Sequence, residues 1–441
     1  MTIRALIGAA AVAAIAVPSA PRSIVAMGKP GITPVPCSDK QWQFGDAAFE
    51  ALPAAKAYFG KYDGGLYRIE IPDTWNGELV LYAHGYVAEA GQNGTMLRVG
   101  NHSIREHLIQ EGFAWAASSY RCNGYVPGQG LVDTMALVDL FSKTSGGRAP
   151  RRTYLTGVSM GGHVTLLGLH EFPTSFAGGM AMCPAGPELF DFFAATAAAA
   201  ETITGVPLTL DSLPDDIAKM TAALGRPPEY TDKGRQLASV EIDISGGPRP
   251  FAVEGLASGA RFAGNITSGA AAIAGGTTPQ NRAVQTTHIR YVIDSGLGLT
   301  ADSLNQRVRR KTGDAVYRSE NTPYEEVAPF DGKIERPLIT LHGTGDLFVP
   351  IFLEQTLKHA VAKAGKQTLL TQRIVRVAGH CGFSQPEQIS AFDDLVKWVR
   401  QGTKPAGDEV DGDLTNAGMT FTEPLRPNDP GGVKISAATH Q

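Results

Sequence analysis

The strongest chemical signal in the chain is a serine with a glycine two residues to each side. Ser159 lies in the pentapeptide GVSMG at residues 157–161. The residues before it, 152–156, favour a β-strand. Those after it, up to Pro173, have the apolar spacing of a helix. A serine on a sharp strand-to-helix turn exposes its Oγ beside the amides that begin the helix. This pattern predicts a nucleophile that attacks a carbonyl carbon.

Two polar residues later in the chain could complete this chemistry. A serine nucleophile needs a general base, and the base needs an orienting carboxylate. Asp346 ends the predicted strand PLITLHGTGD, and His380 follows the predicted strand RIVRVAG. Because the carboxyl ends of parallel strands share one sheet edge, both residues are expected beside Ser159. We therefore predict Ser159, His380 and Asp346 as catalytic residues, with His380 taking the serine proton.

Each of these positions also has a structural interpretation. Asp346 could be a solvated turn residue, in which case Asp331, ahead of the strand, is the weaker substitute acid. His380 could be a histidine of the core. His163 is expected on the helix after the serine, and His342 is expected to be buried within its strand.

The tripeptide HGY at residues 84–86 follows another predicted strand and could stabilise an oxyanion. One donor is expected to be the amide of Met160, directly after the nucleophile, and the second the amide of Tyr86. Gly85 would allow the backbone to approach the serine closely. The Tyr86 ring would then flank the acyl group of a substrate. The alternative for Tyr86 is a partly buried core residue.

Strands and helices alternate along residues 27–184 and again along residues 337–402, which predicts an α/β fold with a doubly wound, mostly parallel sheet. In the last predicted helix, Ser384 and Glu387 have the spacing of a capping box, and Gly402 follows the helix. The tail, residues 403–441, is polar and acidic and is expected to lie on the surface.

Residues 185–336 interrupt this alternation and predict a large, mainly helical cap over the sheet. The segment is rich in alanine, glycine and threonine, with helices expected at residues 190–203, 215–224 and 281–294. Runs such as AATAAAA are interpreted as packed helices of small residues. Phe190 and Phe193, near the start of the cap, are predicted to line a substrate pocket together with Tyr86. Core packing is the alternative for both phenylalanines.

The N-terminus has the pattern of a signal peptide over residues 1–26. Arg4 precedes an apolar run over residues 5–17, followed by small residues and proline. The run is too short to span a bilayer, so a stable membrane anchor is not expected. The protein is expected to be secreted or periplasmic.

Four cysteines fit an oxidising compartment and could form two disulfides: Cys37, Cys122, Cys183 and Cys381. Three pairings remain open, and four buried thiols are the alternative. No cysteine or histidine pair has metal-site spacing, so no metal is predicted. A formal net charge of −4 and a pI near 6.2 argue against a nucleic-acid partner.

The motifs HGY, GVSMGG, GTGD and GHC resemble, in order and context, those of the α/β-hydrolase superfamily. The resemblance covers about residues 66–185 and 337–402. The step from His380 to Cys381 is also similar to that of tannase and feruloyl-esterase-type hydrolases. In those proteins a cysteine precedes the nucleophile, whereas here the position is Val158. The resemblance implies hydrolysis of an ester, amide or related acyl bond without a metal or organic cofactor.

These features together predict an exported serine esterase that acts through an acyl-enzyme on a small-molecule or oligomeric ester. A serine peptidase or amidase of the same fold is the first alternative, because the same three residues cleave amides. A binding protein that keeps the fold without the activity is the second.

Overall fold

The structure is a computed structural model that describes residues 37–46, 49–91, 94–319, 327–328 and 330–424. The predicted signal peptide and the end of the predicted tail, from residue 425 on, lie outside the described residues. None of the helices in the described part combines the length and apolarity needed to cross a membrane.

An eight-stranded sheet forms the centre of the molecule. Its strand order is β1-β2-β4-β3-β5-β6-β7-β8; β2 pairs antiparallel with both β1 and β4, and all the other pairs in this sheet are parallel. This confirms the predicted doubly wound, mostly parallel sheet. The strands are β1 (Ala55–Tyr62), β2 (Gly65–Pro72), β3 (Glu78–Ala83), β4 (Ala114–Ser118), β5 (Arg152–Val158), β6 (Gly178–Met182), β7 (Leu338–Gly343) and β8 (Leu370–Val375). Two-residue strands also pair outside this sheet, Gln43–Phe44 with Met96–Leu97 and Gly225–Arg226 with Glu229–Tyr230.

Helices cover both faces of the sheet. Side chains of β3 alternate between two apolar clusters, with Leu81 packed on one side and Val80 on the other, as the period of a strand requires. The first cluster includes side chains of α2, α3 and α12, and the second includes those of α1 and α13. These helices are α1 (Arg105–Gln110), α2 (Pro127–Thr144), α3 (Met160–Glu171), α12 (Phe352–Lys363) and α13 (Gln385–Gln401). The predicted capping box of Ser384 and Glu387 is present at the start of α13, and Gly402 caps its end.

The central strands end in register, so the loops after them share one edge. Ala83 pairs with Gly157, and Val158 pairs with Met182. Strand β7 pairs in parallel with β6 on one side and with β8 on the other. Chain order reverses around β3, because β4 lies on one side of it and β5 on the other. In open α/β sheets, ligands bind at the carboxyl ends of strands beside such a reversal.

Helices α4 to α11 lie between β6 and β7, in the segment predicted as a cap. The alanine run of α4 packs closely on α8, since a Cβ at Gly269 would lie only 1.9 Å from the Phe193 carbonyl oxygen. The small-residue runs are therefore packed helices, as interpreted from the sequence. The cap helices are α4 (Glu188–Thr204), α5 (Leu213–Leu224), α6 (Asp232–Ile244), α7 (Ala252–Ala257), α8 (Arg261–Ile273), α9 (Pro279–Ala283), α10 (Ala301–Arg307) and α11 (Ala315–Arg318).

The helix predicted at residues 281–294 is wrong beyond Ala283. Apart from a turn in which the Ile289 amide donates to the Thr286 carbonyl, the backbone bonds given there run to side chains and to a distant segment. The Thr286 amide donates to the Lys311 carbonyl at 2.8 Å, and Asn305 bonds both the amide and the carbonyl of Tyr291. These partners are far away in sequence, so local periodicity could not reveal them.

Two other regions differ from the sequence analysis. Strand β1 was not predicted, because it is an edge strand whose side chains are mostly half-buried. The tail from residue 403 does more than lie on the surface. Asp408 accepts a hydrogen bond from the Ile374 amide at 2.7 Å, and Val410 and Leu414 are buried against Ile374. The tail thus covers the outer edge of β8.

Candidate active site

Ser159 lies at the turn between β5 and α3 in a conformation that is rare for a residue with a side chain. Its φ is +59° and its ψ is −118°. Such a backbone costs of order 1–3 kcal/mol and persists only where the surroundings enforce it. Here the Ser159 amide donates to the Met182 carbonyl at 2.9 Å, and its carbonyl accepts from the Ala185 amide at 3.1 Å.

The two glycines that flank the serine lie where there is no room for a side chain. A Cβ at Gly157 would lie 1.9 Å from the Gly161 carbonyl oxygen, and a Cβ at Gly161 would lie 2.0 Å from the Ala83 carbonyl oxygen. Either substitution would force β3, β5 and α3 apart. The GxSxG spacing thus allows two strands and a helix to meet at the serine.

The structure brings together the three residues predicted to be catalytic. His380 Nε2 lies 2.8 Å from Ser159 Oγ, and His380 Nδ1 lies 2.6 Å from Asp346 Oδ2. In the tautomer assigned from these contacts, the serine hydroxyl donates to Nε2 and Nδ1–H donates to the carboxylate. The three side chains come from loops after β5, β7 and β8.

Asp346 is held as an oriented anion. It is 1% exposed, and its Oδ1 accepts hydrogen bonds from the amides of Phe348 (3.0 Å) and Val349 (2.9 Å). Burial acts to raise the pKa of this carboxyl, but the charge and hydrogen bond of His380 outweigh it. With smaller contributions from His342 and the Val349 amide, the pKa lies below its ordinary value.

A buried ion pair lies behind the acid. His342 and Glu354 are fully buried and 3.3 Å apart, and His342 Nε2 donates to the Val349 carbonyl at 2.8 Å. Burial acts to lower the pKa of His342, yet Glu354 and, more weakly, Asp346 raise it above its ordinary value. His342 is buried as predicted, and it supports the loop whose Val349 amide binds Asp346.

The other candidates from the sequence have partners elsewhere. Asp331 pairs with His170 at 3.1 Å and with Lys333 at 2.6 Å. His163 lies on α3, as predicted, and shares a 2.8 Å hydrogen bond with the Tyr125 hydroxyl. Burial lowers the pKa of His163 to about 3, so this side chain is neutral.

A disulfide ties the histidine loop to the sheet. Cys381, directly after His380, is bonded to Cys183 at the end of β6, and the second disulfide joins Cys37 to Cys122. These pairings select one of the three possibilities, and the alternative of four free thiols is wrong. Cys183, His380 and Cys381 are close enough together to hold a metal ion, but both sulfurs are in the disulfide and cannot bind as thiolates.

The loop after β3 lies directly against the serine. A Cβ at Gly85 would lie 3.3 Å from the Ser159 Cβ. The Tyr120 hydroxyl donates to the His84 carbonyl at 3.1 Å, and the His84 ring stacks on Tyr120 with centroids 3.9 Å apart. His84 Nδ1 donates to the Gly85 carbonyl at 2.7 Å, and burial lowers the pKa of this imidazole, which keeps it neutral.

These contacts orient the peptide predicted to supply an oxyanion donor. In a trans peptide the N–H points opposite to the C=O. Because the Gly85 carbonyl points to the His84 ring, the Tyr86 N–H points the other way. The amides of Tyr86 and Met160 have no hydrogen-bond acceptor within the described part of the chain. Both are therefore available to a ligand, as the sequence prediction requires.

Aromatic rings extend from His380 into the cap. Phe348 packs edge-to-face on the His380 ring, with centroids 5.2 Å apart, and Phe193 lies behind Phe348 at 5.6 Å. The Arg261 guanidinium also lies over the Phe348 ring, 3.9 Å from its centroid. The predicted lining residue Phe193 thus contacts the site through the ring of Phe348. The sequence analysis did not identify Phe348, although this residue lies two positions after Asp346.

The other two predicted lining residues differ in their surroundings: Phe190 packs against the apolar cluster that contains Phe193, whereas Tyr86 is exposed. Phe190 is half-buried and packs edge-to-face on Tyr125 at 5.0 Å. The Tyr86 ring is 48% exposed, so it is not the partly buried core residue considered as its alternative. Their contact with a substrate stays a prediction.

The cap holds the loop that carries Asp346. Arg249 is 1% exposed, and its Nε donates to the Thr344 carbonyl at 2.6 Å while its Nη1 donates to the Gly247 carbonyl at 2.7 Å. On the far side of the acid, Asn265 Nδ2 donates to the Leu347 carbonyl at 2.7 Å. Burial lowers the pKa of Arg249 to about 10, opposed by the charge of Asp346. No local pattern marked these residues.

A cavity of about 120 Å³ lies on the other side of α3. It is bordered by His163, Leu167, His170, Glu188 and Leu353, among others, and by neither Ser159 nor His380. The substrate pocket predicted beside Phe190, Phe193 and Tyr86 is therefore not this cavity.

The class of this protein is defined by the strand order and by the position of three residues: the serine follows β5, the acid follows β7 and the histidine follows β8. The chain has the α/β-hydrolase fold, as its motifs predicted. The serine, the acid and the histidine follow one another in the order Ser…Asp…His of that fold.

Comparisons with known proteins agree with this class. The o-phthalyl amidase of Xanthobacter agilis is 21% identical over 429 residues, which cover 82% of this chain and 91% of that protein. No family model matches the chain. Together the site and the amidase match support hydrolase activity in general.

Solved structures with similar folds include esterases and a peptidase. An esterase from Aspergillus oryzae has a TM-score of 0.44 at 13% identity, covering 80% of each chain. Feruloyl esterase B of the same organism has a TM-score of 0.42 at 14% identity, covering 80% of this chain and 82% of its own. Acylaminoacyl peptidase of Pyrococcus horikoshii has a TM-score of 0.39 at 13% identity and covers 81% of this chain, which spans 44% of that longer protein. The fold assignment rests on the strand order itself.

Proposed function

We propose that the protein is an exported serine hydrolase that cleaves carboxylic esters through an acyl-enzyme. The observation that carries the proposal is the continuous hydrogen-bond chain from Ser159 Oγ through His380 to Asp346, with links of 2.8 and 2.6 Å. These are the distances at which a nucleophile, a general base and an orienting acid act together.

In the first half-reaction, Ser159 Oγ attacks the carbonyl carbon of the ester while its proton moves to His380 Nε2. Asp346 stabilises the imidazolium that forms and keeps the ring oriented. The amides of Met160 and Tyr86 stabilise the negative charge on the carbonyl oxygen. The bond to the leaving alcohol then breaks, and His380 returns its proton to the departing oxygen.

In the second half-reaction, water attacks the acyl-enzyme. His380 takes a proton from the water as its oxygen bonds to the acyl carbon. The same two amides stabilise the second tetrahedral intermediate. Collapse of this intermediate returns the proton to Ser159 Oγ and releases the carboxylic acid, so the cycle needs only water as its second substrate.

The substrate would lie between the sheet edge and the cap. Phe348 beside His380, backed by Phe193, supports an apolar wall on one side. Tyr86 and Phe190 are proposed as further contacts. Rings in these positions favour an aliphatic or aromatic organic ester over a strongly hydrophilic one.

Amide cleavage is the second candidate, and the match to an o-phthalyl amidase favours it. The same three side chains cleave both bonds, but an amine is the poorer leaving group and depends more on proton transfer from His380.

A series of matched 4-nitrophenyl esters and 4-nitroanilides with the same acyl groups tests the choice of bond. We expect kcat/KM for the esters to exceed that of the anilides, and Ser159→Ala to abolish turnover of both. Efficient turnover of the anilides with no turnover of the esters would make the protein an amidase. Ester turnover that persists in Ser159→Ala would overturn the mechanism.

Export is part of the proposal and is supported by the signal-peptide pattern and the two disulfides. N-terminal sequencing of the protein isolated from the periplasm or the medium of its host tests it. We expect a mature N-terminus beyond the apolar run that ends at residue 17. A full-length protein retained with reduced cysteines in the cytoplasm would contradict it.

A further inference from the structure

One arginine of the cap lies beside the candidate active site and is not accounted for by the mechanism above. The guanidinium Cζ of Arg261, the first residue of α8, is 3.9 Å from the centroid of the Phe348 ring. The same ring also packs edge-to-face on the imidazole of His380, with centroids 5.2 Å apart. This positive charge and the general base therefore contact the same aromatic ring.

The turn before Arg261 is packed against the histidine loop. The Ser258 Oγ lies 3.6 Å from the position of a Cβ at Gly379, the residue before His380. Gly259 and Ala260 follow with φ values of +57° and +56°. Two consecutive left-handed residues are uncommon, and strain of this kind is concentrated at functional sites. The Arg261 guanidinium lies over this turn, with its Nε 3.5 Å from the position of a Cβ at Gly259.

Arg261 has no carboxylate partner among the residues that the structure describes. The charge of Asp346 acts on it, but both oxygens of that carboxylate are engaged by His380 and by backbone amides. Four arginines of the cap do have acidic partners, in the pairs Arg235–Asp232, Arg282–Asp314, Arg309–Glu201 and Arg318–Asp191, and the buried Arg249 donates to backbone carbonyls instead.

Arg261 is also half-buried, which makes the missing partner costly. A cation that is partly removed from water is unfavourable unless an anion or several acceptors compensate it. A guanidinium stacked on an aromatic ring keeps its N–H edges free, and those edges match the two oxygens of a carboxylate. The position thus suits an anion brought by the substrate.

We infer that Arg261 binds a carboxylate carried by the substrate, so that the enzyme prefers esters or amides of anionic compounds to their neutral analogues. The inference rests on the proposed function, since the carboxylate must belong to a molecule bound at Ser159. Such a carboxylate could lie on the acyl half, as in a mono-ester of a dicarboxylic acid, or on the leaving group, as in an ester of a hydroxy acid. Arg261 acts here in specificity and takes no part in bond cleavage.

Matched substrates with and without the charge test this inference. The first pair is mono-4-nitrophenyl glutarate and its methyl ester, and the second is 4-acetoxybenzoate and its methyl ester. We expect wild type to prefer the charged member of at least one pair, and that pair identifies the half that carries the carboxylate. In Arg261→Gln, kcat/KM for the preferred charged substrate should fall about 10- to 100-fold, mainly through KM, because a charge-assisted contact is lost. The neutral analogue should change less than about threefold.

Two further variants sharpen the result. Arg261→Lys should keep part of the preference, since it retains the charge and loses the planar fork. Arg307→Gln is the matched control, because Arg307 is an exposed arginine of the cap whose contact is with the Ser303 carbonyl on its own helix. It should leave both members of each pair unchanged.

The outcomes separate this inference from the proposed function. Equal losses for charged and neutral esters in Arg261→Gln would mean that Arg261 only supports Phe348, and the inference would be overturned while the function stands. The same holds if wild type hydrolyses the neutral esters as well as the charged ones. No turnover of any ester or amide by wild type would instead overturn the proposed function, and the inference with it.

Discussion

The sheet edge and the cap hold one site by different kinds of contact. At the sheet edge, backbone packs on backbone, and Ser159 is fixed by amide–carbonyl bonds at the ends of neighbouring strands. In the cap, side chains reach across to loop carbonyls. Arg249 bonds to Thr344, 95 positions away, and Asn265 bonds to Leu347, 82 positions away.

Asp346 belongs to both regions. Its loop follows β7 of the sheet, yet two cap side chains bind the backbone on either side of it. The cap is therefore part of the structure that holds the acid of the candidate site in place. Damage to the cap is expected to slow the chemical step, as well as to change substrate binding.

The largest effect is expected from the acid itself. Asp346→Asn should lower kcat about 10⁴-fold, because the amide can hold His380 in the wrong tautomer and cannot stabilise the imidazolium. Steady-state kinetics on a 4-nitrophenyl ester measures this. Asp331→Asn is the control, since Asp331 pairs with His170 and Lys333 away from the site. A comparable loss in both variants would contradict the assignment of Asp346.

The next largest effect is expected from Arg249, the cap residue that binds the loop carrying Asp346. Arg249→Met would leave the buried carbonyl of Thr344 without its donor, at about 1–3 kcal/mol, and would also remove the donor of the half-buried Gly247 carbonyl. We expect a lower Tm and, because the loop moves, a kcat lower by about 100-fold with KM nearly unchanged. Thermal unfolding and kinetics of the same preparation check both, with exposed Arg307→Met as control. A normal kcat with a lowered Tm would show that Arg249 stabilises the fold without helping to position Asp346.

The two disulfides provide a matched comparison within the chain. Removing either pair, as Cys183→Ala with Cys381→Ala or as Cys37→Ala with Cys122→Ala, should destabilise the fold by about 2–4 kcal/mol. The first pair should also lower kcat about tenfold, since Cys381 adjoins His380. Kinetics well below each Tm separates the two effects. Equal activity of the two double variants would show that the tether does not position the histidine.

The smallest effect concerns stability alone. Glu241 is fully buried, and burial raises its pKa to about 8 against the lowering contribution of Asn265. Between the ordinary carboxyl pKa of about 4.3 and this value, the folded state keeps a proton that the unfolded state releases, so stability falls as the pH rises. Glu241→Gln cannot titrate, and its Tm relative to wild type should rise between about pH 5 and about pH 8 and level off above. Exposed Glu229→Gln should show no such trend, and a pH-independent difference for Glu241→Gln would contradict the buried proton.

The difference between the two regions also decides what the sequence could predict. Strands β2 to β8 and α13 were predicted because apolar period, glycine spacing and the Ser384 capping box act over a few residues. The same local signals led to Ser159, Asp346 and His380, which the sheet edge brings together. Strand β1 was missed because an edge strand has no continuous apolar run.

The cap and the long-range contacts were beyond local patterns. The helix expected at residues 281–294 fails because Lys311 and Asn305 supply its hydrogen bonds from a distance. Nothing near Arg249 or Arg261 in the sequence indicates the loop carbonyls or the ring that each meets. The disulfide pairing likewise depends on which strand ends are adjacent, and this follows only from the strand order.

The central claim is that Ser159 is the nucleophile of a serine hydrolase. A fluorophosphonate probe, followed by digestion and mass spectrometry, tests it directly, because the probe bonds to an activated serine Oγ. We predict one adduct, on Ser159, in wild type and none in Ser159→Ala. An adduct that persists in Ser159→Ala, or one that forms on a different serine, would contradict the account.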